Sequence, residues 1–324
     1  MHLARFPRVR LFPAPTPLHR LENLTRELGG PDIWIKRDDC TVVATGGNKV
    51  RKLEWLCGAA LARGADTLVT CGARQSNHAR LTAAAGARLG LDVVLVLAGS
   101  AGDPGDGNVA LDGLLGASVV WAGDVTHEAL APLASAVLDR LRHKGARPAL
   151  IPYGGSSVLG AQGYVAGGHE LLHQAPDLVT VVTALGSGGT MAGLVHALGP
   201  GRVLGVDCGA IGEPARTVGT LVAGLAGAAP DPAALKIRLD HVGAGYATLT
   251  EPVMAALTLA ARTEGLILDP IYTGRALAGL MSAVAEEQIK PGQRTVLLHS
   301  GGLPGLFGHS GAVARSVAAL TEFS

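Results

Sequence analysis

Lys49 follows Gly46-Gly47-Asn48 and opens a segment with the apolar spacing of a helix, Val50-Arg51-Lys52-Leu53-Glu54. An amine at a helix N-terminus sits at the positive end of the dipole, which favours its neutral, nucleophilic form. A solvated lysine in a basic first turn fits the same residues, and residue type alone leaves both readings open. The GGNKV spacing lacks the GxxxxGKS/T order of a nucleotide-binding P-loop. A second turn, Gly186-Ser187-Gly188-Gly189-Thr190, offers unhindered backbone N–H groups and two hydroxyls at the head of a helix. Such a turn suits a phosphate group, or it is an ordinary tight turn. It is not a dinucleotide fingerprint, because Met191 occupies the third glycine position. Two further turns are rich in polar groups: CGARQSNHAR, with Ser76, Asn77 and His78, and LLHSGGLPG, with Ser300.

The elements around these turns alternate. Apolar, β-rich runs occupy 32–39, 67–72, 93–99, 118–123, 180–186, 203–209 and 295–302, and segments of helical length occupy 48–63, 77–89, 126–143, 157–174, 250–264 and 274–287. The strand runs are continuously apolar, as strands covered on both faces by helices must be. Strand and helix in alternation predict an α/β chain with mainly parallel sheets. In such sheets ligands bind beyond the carboxyl ends of the strands, where the four turns lie.

The chain has 324 residues, enough for about two domains and a large core. Its 27 Lys+Arg against 26 Asp+Glu give no global field for nucleic acid or anionic lipid. With 48% hydrophobic and 16% charged residues it is not intrinsically disordered. No apolar stretch reaches the ~18 residues that span a bilayer. The N-terminal stretch MHLARFPRVRLFPAPTP has no apolar leader segment. Cys40, Cys57, Cys71 and Cys208 are scattered without a CxxC pair, and there is no HExxH. Reduced thiols, a cytoplasmic location and no metal site are the expectation. A phosphate-binding turn and a candidate lysine nucleophile in one α/β chain together point to pyridoxal phosphate, whose aldehyde condenses with lysine.

KRDDCTVVATGGNKVRKLEWL followed by TLVTCGARQSNHARLTAAAGARLGL resembles the D-cysteine desulfhydrase and 1-aminocyclopropane-1-carboxylate (ACC) deaminase family. These are pyridoxal-phosphate enzymes of the tryptophan-synthase-β type, fold type II. IPYGGSSVLGAQGY, TALGSGGTMAGL, GAGY, LDPIYTGRALAGL and LLHSGGLPGLFG extend the likeness in order along the whole chain. The resemblance implies two interwoven three-layer domains: a large cofactor-binding one from 1–45 and 155–324, and a small, mobile one from 46–154 that closes over substrate. A homodimer is implied as well.

Carried onto this sequence, the family pattern makes Lys49 the Schiff-base lysine and Asn77 the partner of the cofactor's phenolic oxygen. Residues 186–190 would hold the phosphate, and Ser300 would face the pyridine nitrogen. Ser76, Asn77, His78 and Thr273 become substrate-binding candidates. Ser76, Tyr246 and Tyr272 join Lys49 as catalytic ones. A neutral hydroxyl at Ser300 leaves the pyridine nitrogen largely unprotonated and gives a weaker electron sink. ACC deaminases carry Glu and Leu where this chain has Thr273 and Ser300, so the hydroxyls favour loss of a good leaving group from Cβ over opening of a carbon ring. The implied reaction is β-elimination from D-cysteine, or a related β-substituted alanine, to pyruvate, ammonia and sulfide. The alternatives are an L-cysteate sulfo-lyase, with Arg74, Gln75 and His78 cupping the sulfonate, then an ACC deaminase, and last a non-catalytic cofactor-binding protein.

Overall fold

Valine-, leucine- and isoleucine-rich runs become strands and the Ala/Leu segments between them become helices. The computed structural model describes residues 7–101 and 106–321; residues 1–6, where the stretch read for a leader begins, lie outside it, as do 102–105 and 322–324. The strands are β1 Leu18–Arg20, β2 Asp32–Arg37, β3 Thr67–Gly72, β4 Asp92–Leu97, β5 Ser118–Trp121, β6 Pro148–Leu150, β7 Thr180–Leu185, β8 Val203–Asp207, β9 Lys236–Arg238 and β10 Arg294–His299. The helices are α1 Glu22–Glu27, α2 Lys49–Ala62, α3 Asn77–Leu89, α4 Gly107–Leu114, α5 His127–His143, α6 Val158–Gln174, α7 Gly189–Leu198, α8 Pro214–Ala226, α9 Glu251–Glu264, α10 Thr273–Ala285, α11 Leu303–Phe307 and α12 Ser310–Ala318.

Two sheets result. One runs β1-β2-β10-β7-β8-β9 and the other β5-β4-β3-β6. Every pairing is parallel except β1 with β2. Successive side chains of a strand leave opposite faces, and both faces are buried. From β7, Val182 and Ala184 pack with Leu257 and Leu277 of α9 and α10. Val181 and Leu185 pack on the other face with Leu171, Leu194 and Val222 of α6, α7 and α8. The smaller sheet repeats the pattern: Leu95 and Leu97 of β4 meet Leu53 and Ala83 of α2 and α3, while Val96 meets Leu130 and Val137 of α5. Each sheet is thus a three-layer sandwich, which accounts for the continuously apolar strands.

Local signals fix where the helices begin. The Ser76 hydroxyl accepts the Ala79 N–H at 3.1 Å and starts α3, which ends at Gly90 in the left-handed region, φ 69°. Ser157 caps α6 and Thr250 caps α9 in the same manner. Among the described residues no helix is long and apolar enough to cross a membrane.

Candidate active site

The carboxyl ends of β7 and β10 and the N-termini of α2 and α3 converge on one cavity. It is lined by Asn48, Lys49, Lys52, Ser76, Asn77, His78, Tyr153, Gly186–Gly188, Thr190, Tyr246, Tyr272 and Ser300, among others. The loop before Lys49 is shaped by backbone. Gly46 has φ 69°, and a Cβ there would lie 1.8 Å from the Asp39 carbonyl oxygen. Gly47 at φ 136° and Gly301 at φ 88° press together so closely that a Cβ on Gly301 would fall 2.7 Å from the Gly47 Cα. The Asn48 N–H donates to the Ser300 carbonyl at 3.0 Å across this junction.

Lys49 donates from Nζ to Asn48 Oδ1 at 3.3 Å. Burial lowers its amine to about 8, against weak opposition from the charges of Cys208 and Asp269 and with help from Arg80. At that value roughly a tenth of the amines are neutral at pH 7, compared with a few in ten thousand for an ordinary lysine. The nucleophilic alternative of the two open at the sequence level is the one this environment favours.

Lys52, one helical turn on, was not singled out in the sequence. It is almost fully buried, and its Nζ donates to the Gly154 carbonyl at 3.2 Å and to Ser156 Oγ at 3.1 Å. Ser156 Oγ also accepts the Gly189 N–H at 3.0 Å and lies 2.7 Å from Ser187 Oγ. A Cβ on Gly189 would come within 3.1 Å of Lys52 Nζ, so the ammonium stands at the head of α7 beside the glycine turn. Gly188, which precedes α7, has no side chain to cap it, and beyond the Gly189 N–H held by Ser156 no first-turn N–H of α7 meets a side-chain acceptor among the described residues. Burial and the neighbouring Lys49 charge push the Lys52 amine well below its ordinary value. Uncapped helix N–H groups and a buried, unneutralised lysine are complementary to a phosphate dianion. The residues present therefore fit pyridoxal phosphate, with 186–190 and Lys52 around the phosphate and Lys49 for the aldehyde. Asn48 links the two regions, since its Nδ2 donates to Thr190 Oγ1 at 3.0 Å.

Ser76, Asn77 and His78 stand at the head of α3 and line the same cavity. His78 Nε2 lies 3.0 Å from Thr70 Oγ1, which also lies 2.9 Å from the Ile151 carbonyl oxygen. Burial first, and then Lys49 and Lys52, drive the His78 imidazole well below its ordinary pKa, so it is neutral. Tyr246 and Tyr272 share a 2.8 Å hydroxyl contact at the cavity. Burial pushes Tyr246 up to about 12 and Tyr272 well above the ordinary value, so both phenols keep their protons. Tyr153 lines the cavity too, and sequence reasoning missed it, although its motif IPYGGSS was noted.

Three expected substrate groups lie elsewhere. Thr273 is wholly buried and its hydroxyl donates to Asp269 Oδ1 at 2.7 Å. That carboxylate also accepts the N–H groups of Ile271, Tyr272 and Thr273 at 2.8–3.0 Å. Thr273 thus braces the turn that carries Tyr272 and is not among the cavity-lining residues. Arg74 lies over the Trp121 ring at 4.8 Å and donates to the Ser100 carbonyl, and Gln75 bonds the Asp106 carbonyl and the Asn108 N–H. Neither Arg74 nor Gln75 lines the cavity, and His78 is neutral, so the three do not form a cationic cup there. Of the glycine turn, Gly189 alone does not line the cavity, its N–H being taken by Ser156.

Residues 9–301 match the pyridoxal-phosphate dependent enzyme family. The chain is similar to a D-cysteine desulfhydrase of Salmonella schwarzengrund, 41% identical across 95% of this chain and 98% of the relative. A D-cysteine desulfhydrase of Salmonella typhi is 40% identical over the same shares. Among solved structures, an ACC deaminase homologue superimposes with a TM-score of 0.87 at 35% identity, covering 97% of both chains. A threonine deaminase from T.th. superimposes with a TM-score of 0.61 at 25% identity over 89% of this chain and 92% of its own. Matched along nearly its whole length, and with Lys49 and a glycine turn lining one cavity at the ends of its parallel strands, the chain belongs to the family of pyridoxal-phosphate dependent enzymes.

Proposed function

We propose that the enzyme is a D-cysteine desulfhydrase. D-cysteine and one water give pyruvate, ammonia and hydrogen sulfide. The observation that carries this reading is the 41% identity over 95% of the chain to a curated enzyme of that name. Bound pyridoxal phosphate supplies an electron sink for the pair left when the Cα–H bond breaks. Lys49 would hold the cofactor by its aldehyde and, as a free amine, would take the Cα proton; its lowered amine suits a base near neutral pH. The first-turn N–H groups of α3, with Ser76, would bind the substrate carboxylate and orient the Cα–H bond for its cleavage. Tyr272 and Tyr246, protonated and hydrogen-bonded to each other, give a proton to the sulfur as the Cβ–S bond breaks. The three-carbon enamine that leaves the site is hydrolysed to pyruvate and ammonia.

Ser300 follows β10 and lines the cavity, and a hydroxyl there would offer the cofactor's ring nitrogen only a neutral partner. Charge then stays near Cα, which suits expulsion of a thiolate and handicaps ring opening in ACC, where no heteroatom leaves. L-cysteate is disfavoured by the missing cationic cup. In the same reading, residues 46–154 close as a unit over bound substrate, and two copies of this chain associate in the cytoplasm.

A pyruvate-release assay on D-cysteine, L-cysteine, L-cysteate and β-chloro-D-alanine, with 2-oxobutyrate release followed for ACC, tests the assignment. D-cysteine or β-chloro-D-alanine should be turned over fastest, with ACC slower by at least ~100-fold, about 2.7 kcal/mol of barrier. ACC turnover as fast as that of any β-substituted alanine would refute it.

A further inference from the structure

Asn77 projects into the cavity with either its amide oxygen or its NH2 group foremost, and hydrogen-bond satisfaction decides which. Arg80 is wholly buried and carries five N–H donors and no acceptor. Its Nε donates to Asn108 Oδ1 at 2.9 Å. Nη1 donates to the carbonyls of Ala44 and Gly46, and Nη2 to Gly46 at 3.3 Å and Asn77 Oδ1 at 3.4 Å. Asn108 is also wholly buried, and its Nδ2 donates to the Gln75 carbonyl and to Asn77 Oδ1, both at 3.0 Å. Neither neighbour of Asn108 permits a flip. Arg80 Nε–H demands an acceptor and the Gln75 carbonyl demands a donor, so Asn108 must present Oδ1 to the first and Nδ2 to the second. Asn77 then receives two donors, Asn108 Nδ2 and Arg80 Nη2, on the side away from the cavity. Its oxygen must face them.

We infer that Arg80 and Asn108 are positioning residues that lock the Asn77 amide with its Nδ2 donors toward the cavity, so that the site accepts only a hydrogen-bond acceptor at that point. The inference rests on the reading above, in which the occupant is the ring oxygen of pyridoxal phosphate. The same guanidinium grips the Ala44 and Gly46 carbonyls of the loop that leads into Lys49. It therefore ties the lysine's loop to the helix that carries Asn77, and both approach the cofactor in one fixed register.

The test compares equilibrium binding of pyridoxal phosphate and of its 3-deoxy analogue, which lacks the ring oxygen, to apoenzyme of each variant by absorbance titration. Asn77→Ala should lower the wild-type preference for pyridoxal phosphate about tenfold, because the donor that the oxygen satisfies is gone. Asn108→Asp replaces the donor facing Asn77 with a carboxylate oxygen, turns the amide round, and should lower the preference by a similar factor. Arg80→Lys, whose single ammonium cannot reach all four partners, should lower it as well, and it serves where Asn108→Asp does not accumulate. The ratio of two ligands on one variant cancels any loss of folded protein. If Asn77→Ala leaves the preference unchanged, the contact between Asn77 and the ring oxygen fails. If Asn77→Ala lowers it while Asn108→Asp and Arg80→Lys keep the wild-type ratio, the positioning role fails alone.

Discussion

Helix α2 sends basic side chains into two buried clusters that differ in charge balance. On one side Arg51 pairs with Asp38 at 2.8 Å and with Glu170 at 2.9 Å, and Lys36 bonds Glu170 and the Thr16 carbonyl. Tyr164 donates to Asp38, and the Arg51 guanidinium lies 5.1 Å above the Phe12 ring. Two cations meet two carboxylates there. Burial works against the charge on Asp38, yet Arg51 prevails and holds that carboxyl below its ordinary value, while Arg51 itself is raised. On the other side Lys49, Lys52 and Arg80 form no ion pair among the described residues, and burial lowers all three. The nearest carboxyls, Asp269 and Asp112, act only through space. A closed network is complete without a ligand, whereas an unbalanced one is finished by an anion from outside. The contrast separates scaffold from site within a single helix.

Substitutions should therefore act differently in the two clusters. The largest effect is expected at Lys49→Ala: turnover of D-cysteine should fall at least ~10³-fold, and borohydride should no longer fix the cofactor to the chain. Mass spectrometry reads this directly, and cofactor fixed to the alanine variant would show that the lysine is misassigned. In the balanced cluster, Asp38→Asn leaves two cations to the single carboxylate of Glu170 and should lower unfolding stability by about 3 kcal/mol in urea titration. A loss below ~0.5 kcal/mol would mean that the network is solvent-screened like a surface pair.

Lys52→Met separates the clusters further, because its two effects point in opposite directions. Removing a buried amine that has no counter-ion among the described residues should not lower the melting temperature of the apoenzyme, while affinity for pyridoxal phosphate should weaken ~10- to 100-fold as a charge-assisted contact is lost. A drop in apo stability with unchanged affinity would place Lys52 in the scaffold. The smallest effect is one of pH. Lys49 titrates near 8 and only its neutral form captures an aldehyde. The rate at which apoenzyme takes up cofactor should then rise about tenfold from pH 7 to pH 9 and flatten above. An ordinary lysine would give a rate still climbing tenfold per unit beyond pH 9.

The long elements were legible in the sequence because burial on both faces writes itself as unbroken apolar runs. The run at 32–39 was read two residues too long, since Asp38 turns away at Arg37 to meet Arg51. The three-residue strands β1, β6 and β9 were missed: edge strands so short carry too few residues to show a pattern. Helices α4 and α8 were missed in their Gly-rich surroundings. Lys49 was visible through its glycine turn, and the resemblance supplied its role. Lys52 lay in plain view three residues on, but its aim depends on Gly154 and Ser156, about a hundred residues away in sequence. Thr273 was assigned to substrate on motif position, and only the fold reveals that Asp269 claims its hydroxyl.

The close crossing of Gly47 and Gly301, with the Asn48 N–H on the Ser300 carbonyl, has a consequence for how such an enzyme can change. The spacing between Lys49 and residue 300 is set by main chain, without help from the side chain at 300. Position 300 can therefore be exchanged, hydroxyl for carboxylate or alkyl, without shifting Lys49. Electronic tuning and mechanical alignment are inherited separately, and a lineage built on this junction can explore new leaving groups while its anchoring chemistry stays constant.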